Sequence, residues 1–125
     1  MNTGSRREGT TGLLVGLLLA VFAIAFQMIG VAAALPEAMR SLDAVALYPW
    51  VFSMAVTGML TAILGAGRHC DRHGPLVSMG LGFGTMLLGL TAGSFATDVW
   101  MLLTARLVQG LGAGAINLTL YVVIA

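Results

Sequence analysis

Residues 44–67 read AVALYPWVFSMAVTGMLTAILGAG, twenty-four consecutive positions without Asp, Glu, Lys or Arg. A helix rises about 1.5 Å per residue, so this run exceeds the roughly 20 residues needed to cross about 30 Å of hydrocarbon. Inside lipid only helices and closed barrels satisfy their own backbone groups, and the apolar–polar alternation of a barrel strand is absent here. The stretch therefore predicts a transmembrane helix. Two more uncharged runs flank it, 28 residues at 9–36 and 25 residues at 73–97. A fourth apolar stretch, 99–125, is interrupted by Arg106, Gln109 and Asn117. The expected fold class is all-α, a polytopic membrane helix bundle of four spans at about 13–35, 47–66, 76–96 and 99–125, behind a tail at 1–12.

The composition of the 125 residues points the same way. Charged residues make up 9%, hydrophobic residues 58%, and the mean hydropathy is +0.97. A soluble domain carries about 25% charge, and a disordered chain needs low hydrophobicity with high net charge. With no lysine, six scattered arginines and a net charge of +1, nothing could neutralise a row of phosphates, so nucleic acid is excluded as a partner. Membrane lipid is the expected surrounding.

Proline and glycine mark the ends. Pro36 is expected to close the first span, Pro49 to lie in the first turn of the second, and Gly74-Pro75 to open the third. Arg6, Arg7, Arg68 and Arg72 fall on one side of the membrane and Arg40 on the other. That bias predicts a cytoplasmic N-terminus and a multi-pass protein of the plasma (cell inner) membrane. Ala32-Ala33-Ala34 after an apolar run resembles a signal-peptidase site, but the apolar segment is too long and three spans follow, which favours an anchor.

Polar residues within the spans are the candidate site. An arginine inside a membrane span normally faces a water-filled cavity or a polar partner. Counted from Asp98, Arg106 lies roughly 12 Å deep, and Gln27, counted back from Pro36, lies at roughly 13 Å. The expectation is a hydrogen bond from Arg106 to Gln27 across a cavity, with snorkelling of Arg106 as the alternative. Glycines four apart, Gly80 and Gly84, Gly89 and Gly93, Gly110 and Gly114, are expected to let helices approach closely, with Gly112 between the last two. His69, Cys70, Asp71 and His73 could in principle ligate a metal, but a polar loop needs none, and no metal is assigned. Asn117-Leu118-Thr119 matches a glycosylation sequon inside a span and is discarded. No nucleophile–base set, paired carboxylates or cofactor signature is present in any span, so an enzyme is not expected.

Two motifs carry a resemblance. Gly67-Arg68-His69-Cys70-Asp71-Arg72-His73-Gly74 and, in the fourth span, Arg106-Leu107-Val108-Gln109-Gly110-Leu111-Gly112-Ala113 resemble the second-loop and fourth-helix motifs of major facilitator superfamily transporters. Ala34-Leu35-Pro36 and Trp50-Val51 are most like the drug:proton antiporter branches. The resemblance implies transport of a small-molecule substrate by alternating access. It implies that Asp71 and Arg72 latch the two halves, with Gly67 and Gly74 allowing close approach, and that Arg106, Gln27, Gln109 and Asn117 line the cavity. Pro75 and Leu76 replace the basic pair that usually follows the loop motif. Gln27 stands near the place of an acidic residue in proton-coupled members, so proton coupling cannot be assigned to these spans.

Family members have twelve or fourteen helices, so the chain is expected to be an amino-terminal fragment that lacks the later helices of the same transporter. Export and uptake are not separated by these residues. The alternatives are a stand-alone four-helix assembly or adaptor protein without transport, and a small multidrug exporter, which would need a glutamate that span one lacks.

Overall fold

The structure, a computed structural model, describes residues 3–125, and of side chains all but those of residues 1–9 and 13; residues 1 and 2 of the expected tail and the side chains of Arg6 and Arg7 lie outside the described residues. The chain forms helices α1 (Thr3–Ser41), α2 (Tyr48–His73), α3 (Pro75–Ser94) and α4 (Val99–Ile124), with one 3₁₀ turn at Val45–Leu47 before α2. Four segments are long and apolar enough to cross a membrane: Thr10–Ser41, Val45–His73, Pro75–Ser94 and Val99–Ile124. The protein is thus an all-α bundle of four membrane-spanning candidates.

Helix ends depart from the sequence expectation in two places. Pro36 lies inside α1, which runs on to Ser41; the proline removes one N–H but leaves the helix unbroken. Closure comes instead from Asp43, with φ of 49°, after which Ala44 N donates to Met39 O at 3.0 Å. The second departure is that Gly67–His73 is not a loop but the last two turns of α2. Gly74 alone separates α2 from α3, and Gly74 N donates to Cys70 O at 2.9 Å. Its φ of 85° with ψ of 164° is a conformation that only glycine adopts without strain, which explains why the connection is a single glycine.

The chain divides into two compact units, residues 1–34 and 35–125. The first is the apolar body of α1. In the second, α4 packs along both α2 and α3, while α2 and α3 touch each other little. At the end of this unit where α4 begins, Leu35, Met39, Ala44, Val51, Leu102 and Leu103 form an apolar cluster. Asp98 caps the start of α4, its Oδ1 accepting from Met101 N at 2.9 Å.

Glycine sets how closely α4 meets its neighbours. A Cβ on Gly110 would collide with the Ala55 carbonyl, one on Gly114 with the Met59 carbonyl, and one on Gly58 with the Leu107 carbonyl, so α2 and α4 touch backbone to backbone. On the other side, Gly112 lies against Gly82 and Met86, and Gly89 against Gln109. Gly80 and Gly84 have nothing within 4 Å of a built Cβ. The face of α3 that meets α4 is therefore Gly82, Met86 and Gly89, spaced i, i+4, i+7, rather than the expected Gly80 and Gly84. Gly67 has only ordinary contact with Leu118, 3.9 Å from a built Cβ.

Candidate functional site: the polar flank of α4

Where no water is available, a hydroxyl must find its partner within the protein. Thr61, Thr85, Thr104 and Thr119 each donate to the carbonyl four residues earlier in their own helix, at 2.7, 2.8, 2.9 and 2.8 Å. These groups are spent on backbone and present little polarity elsewhere. Arg106, Gln109 and Asn117 are different, because their side chains are too long or too rich in donors to be satisfied that way.

Their placement follows from helical geometry. Leu107, Gly110, Leu111 and Gly114 face α2, whereas Ala105, Gln109, Gly112 and Ile116 turn toward α3. Positions 106, 113 and 117, at i, i+7 and i+11, share the flank between those two faces, with Gln109 at its α3 edge. Arg106 Nη1 donates to Gln109 Oε1 at 2.8 Å. Gln109 is only 2% exposed, and its Nε2 has no hydrogen-bond partner among the described residues. No carboxylate among the described residues lies within ion-pair distance of Arg106, the described ion pair being Arg40 with Glu37 at 3.9 Å on the exposed end of α1.

Arg106 is thus paired within its own helix. An acceptor one turn away on the same helix, at i+3, needs no second helix to be brought into register, and it takes the guanidinium. Gln27 belongs to the first unit, and its Oε1 accepts no hydrogen bond among the described residues. Asn117 is half-buried. Asp71 and Arg72 stand exposed in the last turn of α2 beside Gly74. His69 and His73 stack with ring centroids 4.4 Å apart, and no group of three or more His, Cys, Asp or Glu among the described residues could hold a metal.

A polytopic helix bundle with a permanent charge held inside one span and apolar side chains exposed around it defines a multi-pass membrane protein with a polar intramembrane site. Comparison with known sequences narrows the class. The pattern of the Major Facilitator Superfamily matches residues 17–125, and the chain belongs to that transporter family. It is 30% identical over 126 residues to the MFS efflux transporter aclA of Aspergillus oryzae, covering 98% of this chain and 22% of that protein. It is 32% identical over 103 residues to the efflux pump dotC of Dothistroma septosporum, covering 82% of this chain and 18% of that protein. The chain spans about a fifth of the length of the curated relatives it matches. No solved structure matches it.

Proposed function

We propose that the chain is the amino-terminal part of a secondary active transporter that exports small molecules by alternating access. The observation that carries this reading is Arg106, kept inside a membrane span on the flank of α4 that faces neither α2 nor α3, and held by an amide rather than neutralised by a carboxylate. An arginine so placed is costly unless it meets water or a polar ligand. Arginine has five N–H donors, and with one given to Gln109 the others remain for a substrate carrying acceptor oxygens. Gln109, Asn117 and Gln27 are assigned to the same pathway wall. The names of the two efflux relatives favour export over uptake.

In this reading Asp71 and Arg72 latch this part of the transporter to the remainder of it, and Gly74, by its positive φ, makes the one-residue turn beside which they stand. The N-terminus is cytoplasmic and the membrane is the plasma membrane. No cofactor is assigned, and coupling to protons is not assigned to these spans.

The test is made on the protein taken from its own membrane. Its intact mass is measured after capture with an antibody against residues 37–47, and the same material is reconstituted into vesicles for flux. A mass several times 12.9 kDa, with saturable flux that Arg106→Leu abolishes without loss of membrane assembly, is the expected result. A mass of 12.9 kDa with no flux overturns it and leaves a four-helix assembly protein.

A further inference from the structure

On the side of α4 opposite Arg106, α2 and α3 leave between them a groove of about 420 Å³ whose floor is Leu111 and Ala115. That volume is in the range of about 300–1,000 Å³ typical of sites for small molecules. The wall formed by α2 runs from Thr61 through Gly65 to His69, eight residues or about 12 Å of helix. It is apolar in effect. The hydroxyls of Thr61 and Thr85 are already bonded to carbonyls of their own helices. Leu81 within the groove is 54% exposed, a surface that suits lipid.

The Gly74 end of the groove is the reverse. His69 lines it, and its Nε2 is buried without a hydrogen-bond partner. Positions 61, 65, 68 and 72, spaced four, three and four apart, form one stripe, so Arg68 and Arg72 continue the groove wall beyond its apolar part. The helix α3 starts here with no side-chain cap, leaving the orphan N–H groups and positive dipole end of its first turn at the same place. Asp71 sits two residues from His69, on the far side of α2. An apolar trough that ends in two arginines, an unpartnered imidazole and a helix N-terminus is complementary to an apolar chain carrying a negative head.

We infer that this groove holds one acyl chain of an anionic phospholipid, with its phosphate at His69 and Arg68. The inference rests on the chain's lying in a membrane and not on the transport reading, so either can fail alone.

The experiment is native mass spectrometry of the purified, detergent-solubilised protein titrated with phosphatidylglycerol, with phosphatidylcholine of the same chains, and with inorganic phosphate. Phosphatidylglycerol is expected to bind about tenfold more tightly than phosphatidylcholine, because both carry the phosphodiester but only phosphatidylcholine brings a quaternary ammonium up against the arginine. Gly65→Leu fills the groove at a position where a built Cβ meets nothing within 4 Å, and it is expected to remove that binding while helix content is unchanged. Arg68→Gln removes the preference between the two lipids, and His69→Leu weakens the binding of both. Equal binding of the two lipids overturns the proposal. So does displacement of the lipid by inorganic phosphate alone, which would place all recognition at the basic residues. A second measurement is independent of any variant: phosphatidylglycerol with a photoactivatable chain is expected to label α2 and α3 between residues 61 and 85, and labelling elsewhere overturns the groove assignment.

Discussion

Gly112→Ala and Gly80→Ala make the same chemical change at two glycines that the helix bundle treats in opposite ways. At Gly112 an added Cβ lies 2.6 Å from Gly82 O and 2.8 Å from Met86 Cα, whereas at Gly80 nothing lies within 4 Å. These atoms, and Met86 N nearer still, are backbone and cannot rotate aside, so α3 and α4 must separate by about 1 Å to restore ordinary van der Waals distances. Overpacking of this kind costs about 1–3 kcal/mol, offset by up to about 1 kcal/mol from the better helix propensity of alanine. Gly80→Ala gains the propensity with no clash. The propensity gain is common to both, so the two variants should differ by the overpacking cost of about 1–3 kcal/mol, or roughly 4–15 °C in Tm, with Gly112→Ala below the parent and Gly80→Ala at or above it. Thermal unfolding followed by circular dichroism in one detergent reads both. If Gly112→Ala melts with the parent, or Gly80→Ala falls as far, then backbone contact at Gly82 and Met86 does not set the α3–α4 distance, and the packing argument fails.

Three further outcomes are expected. Gly74→Ala should lower stability by about 1–3 kcal/mol, and Gly74→Asn should do no better, because φ of 85° with ψ of 164° is not the left-handed helical conformation that asparagine tolerates; the same melting assay checks this. Asp98→Ala should cost about 1 kcal/mol through loss of the cap on Met101 N, and Asp98→Asn should recover most of it. Gln109→Leu removes the acceptor of Arg106, and flux through the intact transporter should fall about tenfold or more while Gln109→Glu retains the hydrogen bond; unchanged flux in Gln109→Leu would detach Arg106 from the pathway.

The number of spans was legible because it depends on a sum, the length of each uncharged run against the thickness of hydrocarbon, and single residues hardly alter it. Helix ends were less legible because they depend on a few local hydrogen bonds. Pro36 reads as a stop in water, but the stop lies at Asp43, whose positive φ closes α1. Likewise the residues from Gly67 to His73 are polar enough to read as a loop, although nothing in them prevents helix until Gly74, where the conformation itself demands glycine. Spacing of four identifies glycines that share a face but not which face meets a neighbour. That choice is made by the partner helix, and Gly82 with Gly89 was selected over Gly80 with Gly84 because Gly112 and Gln109 stand opposite them.

The same distinction separates the two polar features of the bundle. Arg106 was conspicuous because a charge inside an apolar run is costly wherever it points, and the cost alone marks the residue. Its bond to Gln109 was harder to read, since counting depth from the membrane boundary draws attention to Gln27, level with Arg106, and only the helix geometry shows that Gln109, three residues on, is within 2.8 Å. His69 carried no such mark. In sequence it is one polar residue among several beside Gly74, and its meaning arises only when α3 is placed alongside and leaves Nε2 buried without a partner at the head of an apolar groove. On α4 the two features occupy opposite flanks, Arg106 and Asn117 on one and Leu111 and Ala115 on the other. A helix packed on two sides by glycine contacts has two flanks left, and here one is polar and the other apolar. Because the two flanks are opposite, a lipid in the groove and a substrate at Arg106 would be separated by the full width of α4 and could bind at the same time.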